Sequence, residues 1–200
     1  MYKNVIFDLG NVLLDFSPRE YLKSKVSDDK LEEVFKAIFN SEEWIMLDRG
    51  TITEKEAINN IISRNSTYIN EINLAFENWY DILRPIEESI NILISLKENG
   101  YKIYYLSNFH ELAFMEVTKK NSFFEIFDGG VVSYEEKLIK PEEEIYNLVL
   151  DRYNLNPSET IFIDDTKVNV DGANCVGITG ILFKDAENLR EELKSLGMKI

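Results

Sequence analysis

Cysteine and histidine occur once each in the 200 residues, as Cys175 and His110. A lone cysteine forms no disulfide within the chain, and one Cys with one His cannot supply a structural zinc site. A reducing, cytoplasmic setting is expected. Basic residues are scarce as well: 22 Lys and Arg stand against 36 Asp and Glu, a net charge of −14. A field of that sign repels phosphate backbones and anionic headgroups, which argues against nucleic acid and membrane surfaces as partners. No apolar run approaches the roughly 20 residues of a membrane span. Met1-Tyr2-Lys3-Asn4 leads into an apolar stretch broken by Asp8, which does not read as a signal peptide. Repeats, low-complexity segments and Gly/Ser linkers are missing too. What is there is 44% apolar and 12% aromatic, too hydrophobic for disorder and enough for one large domain, or one plus a small insert.

Five short apolar runs, Val5 to Phe7, Ile103 to Leu106, Val131 to Val132, Ile161 to Ile163 and Ile181 to Phe183, are separated by helix-length segments. That alternation predicts an α/β fold with a doubly wound parallel sheet. Ile90, Leu93 and Ile94 share a helix face that stops at Gly100, and Ile145, Leu148 and Val149 share another after Pro141. Residues 15–85 break the alternation, reading helical throughout with no strand. Leu31, Val34, Phe35 and Ile38 form one stripe, and Thr53-Glu54-Lys55-Glu56 is a capping box opening a helix along Ala57, Ile58, Ile61 and Ile62. The expected organisation is a core of 1–14 and 86–200 with a small helical cap of 15–85 inserted after the first strand. The cap carries 9 basic and 14 acidic residues, so the negative charge is spread over both parts.

In a doubly wound sheet, ligands sit beyond the carboxyl ends of the strands. The residues there share a chemistry: Asp8 after the first run, Ser107-Asn108 after the second, Ser133 with Lys137 and Lys140 after the third, and Asp164-Asp165 after the fourth. Carboxylates brought together repel unless a hard cation neutralises them, and oxygen-only ligands favour Mg²⁺. A cation with Ser, Asn and Lys suits a tetrahedral oxyanion, so a phosphate is the expected ligand. Singly, each of these residues reads equally well as a turn former, a cap or a solvated charge. Their arrival at successive strand ends is what points to a site. Cys175, on a helix after the last acidic pair, is expected to be a small core residue.

These motifs resemble the haloacid dehalogenase-like (HAD) superfamily over nearly the whole chain. The family's first motif, a strand ending in Asp-x-Asp, is matched by Val5-Ile6-Phe7-Asp8-Leu9-Gly10-Asn11-Val12-Leu13. Its Ser/Thr-Asn motif is matched by Tyr104-Tyr105-Leu106-Ser107-Asn108, its lysine by Lys140-Pro141, and its acidic pair by Phe162-Ile163-Asp164-Asp165 with Asn169. The first motif's Asp-Leu-Gly-Asn-Val form, with Trp44-Ile45-Met46-Leu47-Asp48-Arg49-Gly50 in the cap, is most similar to the sugar-phosphate phosphatase branch that includes α-D-glucose-1-phosphate phosphatase. The resemblance implies a phosphatase in which Asp8 is the nucleophile that forms an aspartyl-phosphate. Mg²⁺ would be held by Asp8, the Gly10 carbonyl and Asp165, with Asp164 or Asn169 acting directly or through water. Ser107 and the Asn108 amide would bind phosphoryl oxygens, and Lys140 would neutralise charge.

Gly10 departs from the pattern, standing where most phosphatases of this superfamily carry a second Asp that protonates the leaving oxygen. Losing such a group typically lowers the rate by roughly 10² to 10⁴. Either another residue substitutes, with Asp15, Asp48 and His110 as candidates, or the substrate is an ester such as a sugar 1-phosphate or an aryl phosphate whose leaving oxygen is already stabilised. Trp44, Asp48 and Arg49 are candidate substrate contacts, or else cap packing and a turn. Rival readings are a 2-haloacid dehalogenase, disfavoured because the acidic pair implies a metal, and a phosphomutase, which needs the side chain missing at Gly10. A non-catalytic phosphate-binding module stays open, whereas a response-regulator receiver has its acidic pair first and no cap. The oligomeric state and the physiological ester are not legible in the sequence.

Overall fold

A computed structural model describes residues 1–200. Five parallel strands, β1 (Asn4–Phe7), β4 (Lys102–Ser107), β5 (Gly129–Val132), β6 (Thr160–Asp164) and β7 (Thr179–Leu182), form one sheet in the order β5-β4-β1-β6-β7. β1 is the central strand and is buried along its whole length, as its apolar run requires. Successive side chains of a strand point to opposite faces, and the core divides accordingly. Val5, Phe7, Ile103, Ile161, Ile163 and Ile181 pack on one side with α6 (Glu87–Glu98) and α11 (Ala186–Ser195). Ile6, Tyr104, Leu106, Val131 and Phe162 pack on the other with α9 (Glu143–Tyr153) and α10 (Lys167–Cys175). Helices α7 (Glu111–Lys120) and α8 (Ser133–Glu136) follow β4 and β5.

Between β1 and α6 the chain runs through α1 (Pro18–Lys23), α2 (Asp28–Phe39), α3 (Glu42–Asp48), α4 (Glu54–Arg64) and α5 (Ile69–Phe76). The capping box at the start of α4 forms as written, with Thr53 Oγ accepting from the Glu56 amide and the Glu56 carboxylate accepting from the Thr53 amide. Leu31, Val34, Ile38, Ala57, Ile61 and Ile72 are buried in the same apolar cluster that covers one face of the sheet.

Three expectations need correction. The stretch expected to lack any strand is closed by a two-residue antiparallel ladder, β2 (Leu14–Asp15) with β3 (Arg84–Pro85). Its partners lie about seventy residues apart and include a proline, so neither reads as a strand locally. The run Val131 to Val132 extends back through Gly129-Gly130, where the rings of Tyr153 and Tyr105 occupy the space a Cβ would need. Cys175 is exposed rather than part of the core, because Ala173, not its neighbour two residues on, faces the sheet. No helix is long and apolar enough to cross a membrane.

Candidate active site

Asp8 follows β1 directly, Ser107 ends β4, Ser133 follows β5, and Asp164 ends β6, so the parallel register brings them to one edge of the sheet. Lys140 reaches the same place from the loop before α9 and is almost completely buried. Its Nζ lies 2.8 Å from Asp8 Oδ1 and 2.6 Å from Asp164 Oδ2. The Asn108 side chain fixes the lysine backbone from both sides, accepting from its N–H (2.8 Å) and donating to its carbonyl (3.1 Å). Asn108 thus positions Lys140 with its side chain, while its own backbone N–H makes no hydrogen bond within the protein.

Asp8 is asymmetric. Oδ1 accepts from the Leu9 amide (2.7 Å), Ser107 Oγ (2.6 Å) and Lys140 Nζ, leaving Oδ2 without a protein hydrogen bond. Asp164 is crowded with donors: Lys140 Nζ, the Thr166 amide (2.8 Å) and Asn169 Nδ2 (3.0 and 3.2 Å). Asn169 therefore orients Asp164 by donation. Asp165 is less occupied, accepting from Asn11 Nδ2 at 3.1 Å and from Thr166 Oγ1 at 3.4 Å. Asn11, at φ +54°, went unnoticed in the sequence. The only signal for it is an Asn after a Gly, a residue type that tolerates the left-handed conformation.

One carboxylate oxygen each from Asp8, Asp164 and Asp165 lie within 4.8 Å of one another. Three carboxylates against one ammonium leave an excess of negative charge in a crevice largely shielded from water. Burial, offset by Lys140 and reinforced by Asp164, pushes the Asp8 carboxyl up to about 7. Burial raises Asp165 as well, with Asn11 opposing it and Asp164 adding to it. Burial works against the Lys140 ammonium, but the two flanking carboxylates hold its pKa above the ordinary lysine value. A set of hard oxygens with unbalanced negative charge fits Mg²⁺.

Beside this trio opens a cavity of about 390 Å³, including its mouth, lined by Gly10, Phe16, Trp44, Asp48, Trp79, Leu83, Asn108, Phe109 and His110. An added Cβ at Gly10 would meet nothing within 4 Å, so the side chain missing there leaves open space. Of the sequence candidates, Trp44, Asp48 and His110 line this cavity. Arg49 does not: its guanidinium makes a bidentate pair with Glu142 and donates to the Lys137 carbonyl at 3.1 Å. Asp15 lies in β2 on a different cleft, with Asn11, Glu88 and Lys184, and accepts from Ser17 Oγ at 2.8 Å. Ser133 is wholly buried, with Oγ accepting from the Phe109 amide (2.9 Å) and donating to the Asp48 carbonyl, so it ties α3 to the sheet. Phe16, Trp79, Leu83 and Phe109 carry no sequence signal as cavity walls, because scattered apolar residues read as core.

Comparison with known proteins places this geometry in a family. The model of the haloacid dehalogenase-like hydrolases matches residues 2–177. The chain is 31% identical over 195 residues to sesquiterpene phosphatase astK of Aspergillus oryzae, covering 98% of this chain and 96% of that one. It is 25% identical to a glyceraldehyde 3-phosphate phosphatase of Methanothermobacter thermautotrophicus, covering 100% and 94%. Among solved structures, a HAD-family enzyme of Bacteroides thetaiotaomicron in complex with magnesium and inorganic phosphate superposes with a TM-score of 0.73 at 28% identity, covering 94% of this chain and 99% of that one. The chain belongs to the haloacid dehalogenase-like hydrolases.

Proposed function

We propose that this hydrolase is a Mg²⁺-dependent phosphatase acting on a small phosphomonoester through an aspartyl-phosphate on Asp8. The observation that carries the reading is the asymmetry of Asp8. Leu9, Ser107 and Lys140 fix Oδ1, so Oδ2 is the oxygen presented to the crevice as a nucleophile. Attack by Oδ2 on phosphorus forms the acyl phosphate as the ester P–O bond breaks and the leaving oxygen takes up a proton. Water then attacks the same phosphorus, releasing inorganic phosphate and restoring the carboxylate. Lys140 and the unengaged Asn108 N–H stabilise the equatorial oxygens. Asp8, the Gly10 carbonyl and Asp165 would hold Mg²⁺, with Asp164 beside them. The ion would supply charge neutralisation at the transferring phosphoryl group.

The magnesium and phosphate bound by the Bacteroides enzyme and the phosphatase names of two relatives support this reading. In the same reading, residues 15–85 act as a cap standing on the β2–β3 ladder and walling the cavity over Gly10. The walls narrow the choice of ester. Phe16, Trp44, Trp79, Leu83 and Phe109 are apolar, Asn108 is already spent on Lys140, and Asp48 and His110 are the remaining polar side chains of the lining. A sugar 1-phosphate would find few partners for its hydroxyls, so an ester with an apolar or aryl body is favoured over the sugar branch. The test is phosphate release from an aryl phosphate, an apolar alkyl phosphate and a hexose 1-phosphate, with and without Mg²⁺. Release that needs the metal and is fastest on the apolar esters is expected. Preference for the sugar ester would overturn the choice of ester, and inorganic phosphate binding with no turnover of any ester would favour the non-catalytic module.

A further inference from the structure

We propose that Asp48 is the proton-transfer residue of this site, replacing from the helical segment the carboxylate that Gly10 lacks, with neutral His110 positioning it. The inference rests on the phosphatase reading above.

Asp48 is the last residue of α3, and that end of the helix is tied to the sheet side at several points. Ser133 Oγ donates to the Asp48 carbonyl, Arg49 pairs with Glu142, and Lys137 Nζ donates to the Gly50 carbonyl at 2.6 Å. Gly50 has φ +66°, and any Cβ there would overlap the Tyr134 carbonyl, so the turn can approach α8 this closely only as glycine. The consequence is that a carboxylate from the helical segment lines the same cavity as Gly10 and Asn108.

His110 supplies the second observation. It is 4% exposed, and neither ring nitrogen makes a hydrogen bond of good geometry, although the Trp44 backbone lies close enough to favour the protonated ring. A buried polar group without a good hydrogen bond costs about 1–3 kcal/mol, so the ring is free to take a partner in the cavity. Its ring packs against both Trp44 and Trp79, at centroid distances of 4.2 and 5.2 Å, and its Nε2 is 3.4 Å from Asp48 Oδ1. That separation is just outside good hydrogen-bond distance, as catalytic contacts often are before substrate binds.

The charged groups facing Asp48 are Lys140, which favours its anion, and Asp8, which opposes it. Burial outweighs both and raises the Asp48 carboxyl to about 7, while burial lowers His110 to about 3. Near neutral pH, Asp48 is thus present in both acid and base forms, and His110 stays an uncharged donor. A general acid works best with a pKa near the working pH. The proton balance closes over one cycle. The Asp48 carboxylic acid gives its proton to the ester oxygen as the P–O bond breaks, and the resulting carboxylate takes one from the water that attacks the aspartyl-phosphate. Asp15, the other acidic candidate, is on a separate cleft and plays no part.

The experiment compares wild type, Asp48→Asn, His110→Ala, Asp15→Asn and the double variant Asp48→Asn/Gly10→Asp on 4-nitrophenyl phosphate and butyl phosphate. Butoxide is a poor leaving group and needs a proton, whereas nitrophenolate does not. Asp48→Asn is expected to lower kcat on butyl phosphate by about 10² to 10³. On nitrophenyl phosphate it should still release one equivalent of nitrophenolate rapidly, followed by slow turnover, which also shows that the variant is folded. Gly10→Asp, which has room for a side chain, should restore butyl phosphate turnover in the double variant. His110→Ala should shift the alkaline limb of the pH profile on butyl phosphate, where Asp48 must hold its proton, and Asp15→Asn should behave as wild type. A nitrophenolate burst in Asp48→Asn slowed as much as its butyl phosphate turnover, or butyl phosphate turnover within about twofold of wild type, would overturn the proposal. Wild type that hydrolyses neither ester would overturn the phosphatase reading and this inference together.

Discussion

Replacing Lys140 by Met tests the electrostatic core of the site. Met keeps most of the side-chain volume and removes the ammonium, which lies 5.4 Å from the Phe162 ring centroid, so the change is essentially the loss of one positive charge. That charge sits 2.8 Å from Asp8 and 2.6 Å from Asp164, at a position only 1% exposed. Removing one member of a buried ion pair leaves its partners uncompensated, which costs about 3–5 kcal/mol. For a chain of this size each kcal/mol lowers Tm by about 2–4 °C, so the metal-free variant should melt roughly 6–20 °C below wild type. Mg²⁺ returns positive charge to the same carboxylates, so adding it should raise Tm by more in the variant than in wild type. Thermal unfolding followed by far-UV circular dichroism, in chelator and then in magnesium, reads both effects. A metal-free variant melting within about 2 °C of wild type would refute the reasoning, because the carboxylates would then not depend on Lys140.

Two further outcomes follow from the same geometry. The folded, metal-free protein holds protons on Asp8 and Asp48 up to about pH 7, whereas the unfolded chain releases them near 3.8, so stability should fall as pH rises through that interval. His110 acts in the opposite direction below its ordinary value of 6.5, since the unfolded imidazole binds a proton that the buried one refuses. The net slope between about pH 5 and 6.5 is then close to −1.4 kcal/mol per pH unit, and His110→Ala should steepen it; urea midpoints that rise over this range would contradict the assignment. Trp44→Ala removes a cavity wall that packs on Phe39 at 4.5 Å and on Trp79 at 5.1 Å. It should cost about 3 kcal/mol of stability and raise KM for an aryl phosphate more than for inorganic phosphate as an inhibitor. Equal effects on the two would place the ester body elsewhere.

The sheet and the trio of carboxylates were legible in the sequence because both are local. Apolar runs such as Val5 to Phe7 and Ile161 to Ile163 name their own strands, and the residue after each run is fixed at the crevice by the parallel register. The strands extend beyond those runs at Lys102, Gly129-Gly130, Thr160 and Thr179-Gly180, none of which signals a strand by hydrophobicity. What could not be read depends on contacts distant along the chain. The Leu14–Pro85 pairing, the Arg49–Glu142 ion pair and the placement of Asp48 beside His110 join residues about 60 to 90 positions apart, and their partners carry no shared local pattern. Arg49 illustrates the difference. As a residue type it suits a phosphate ester, but the structure commits it to Glu142, away from the cavity. Asp48, adjacent in sequence and equally ambiguous there, lines the cavity beside the open space at Gly10.

In the proposed mechanism Asp8 carries the phosphoryl group during turnover. Acid-quenching the enzyme while it hydrolyses an aryl phosphate in the presence of Mg²⁺, followed by peptide mapping, tests it most directly. A hydroxylamine-labile phosphoryl group on the peptide containing Asp8 is expected, with Asp8→Asn neither accumulating it nor releasing phosphate. Metal-dependent phosphate release at the wild-type rate by Asp8→Asn, with no phosphorylated peptide, would contradict it.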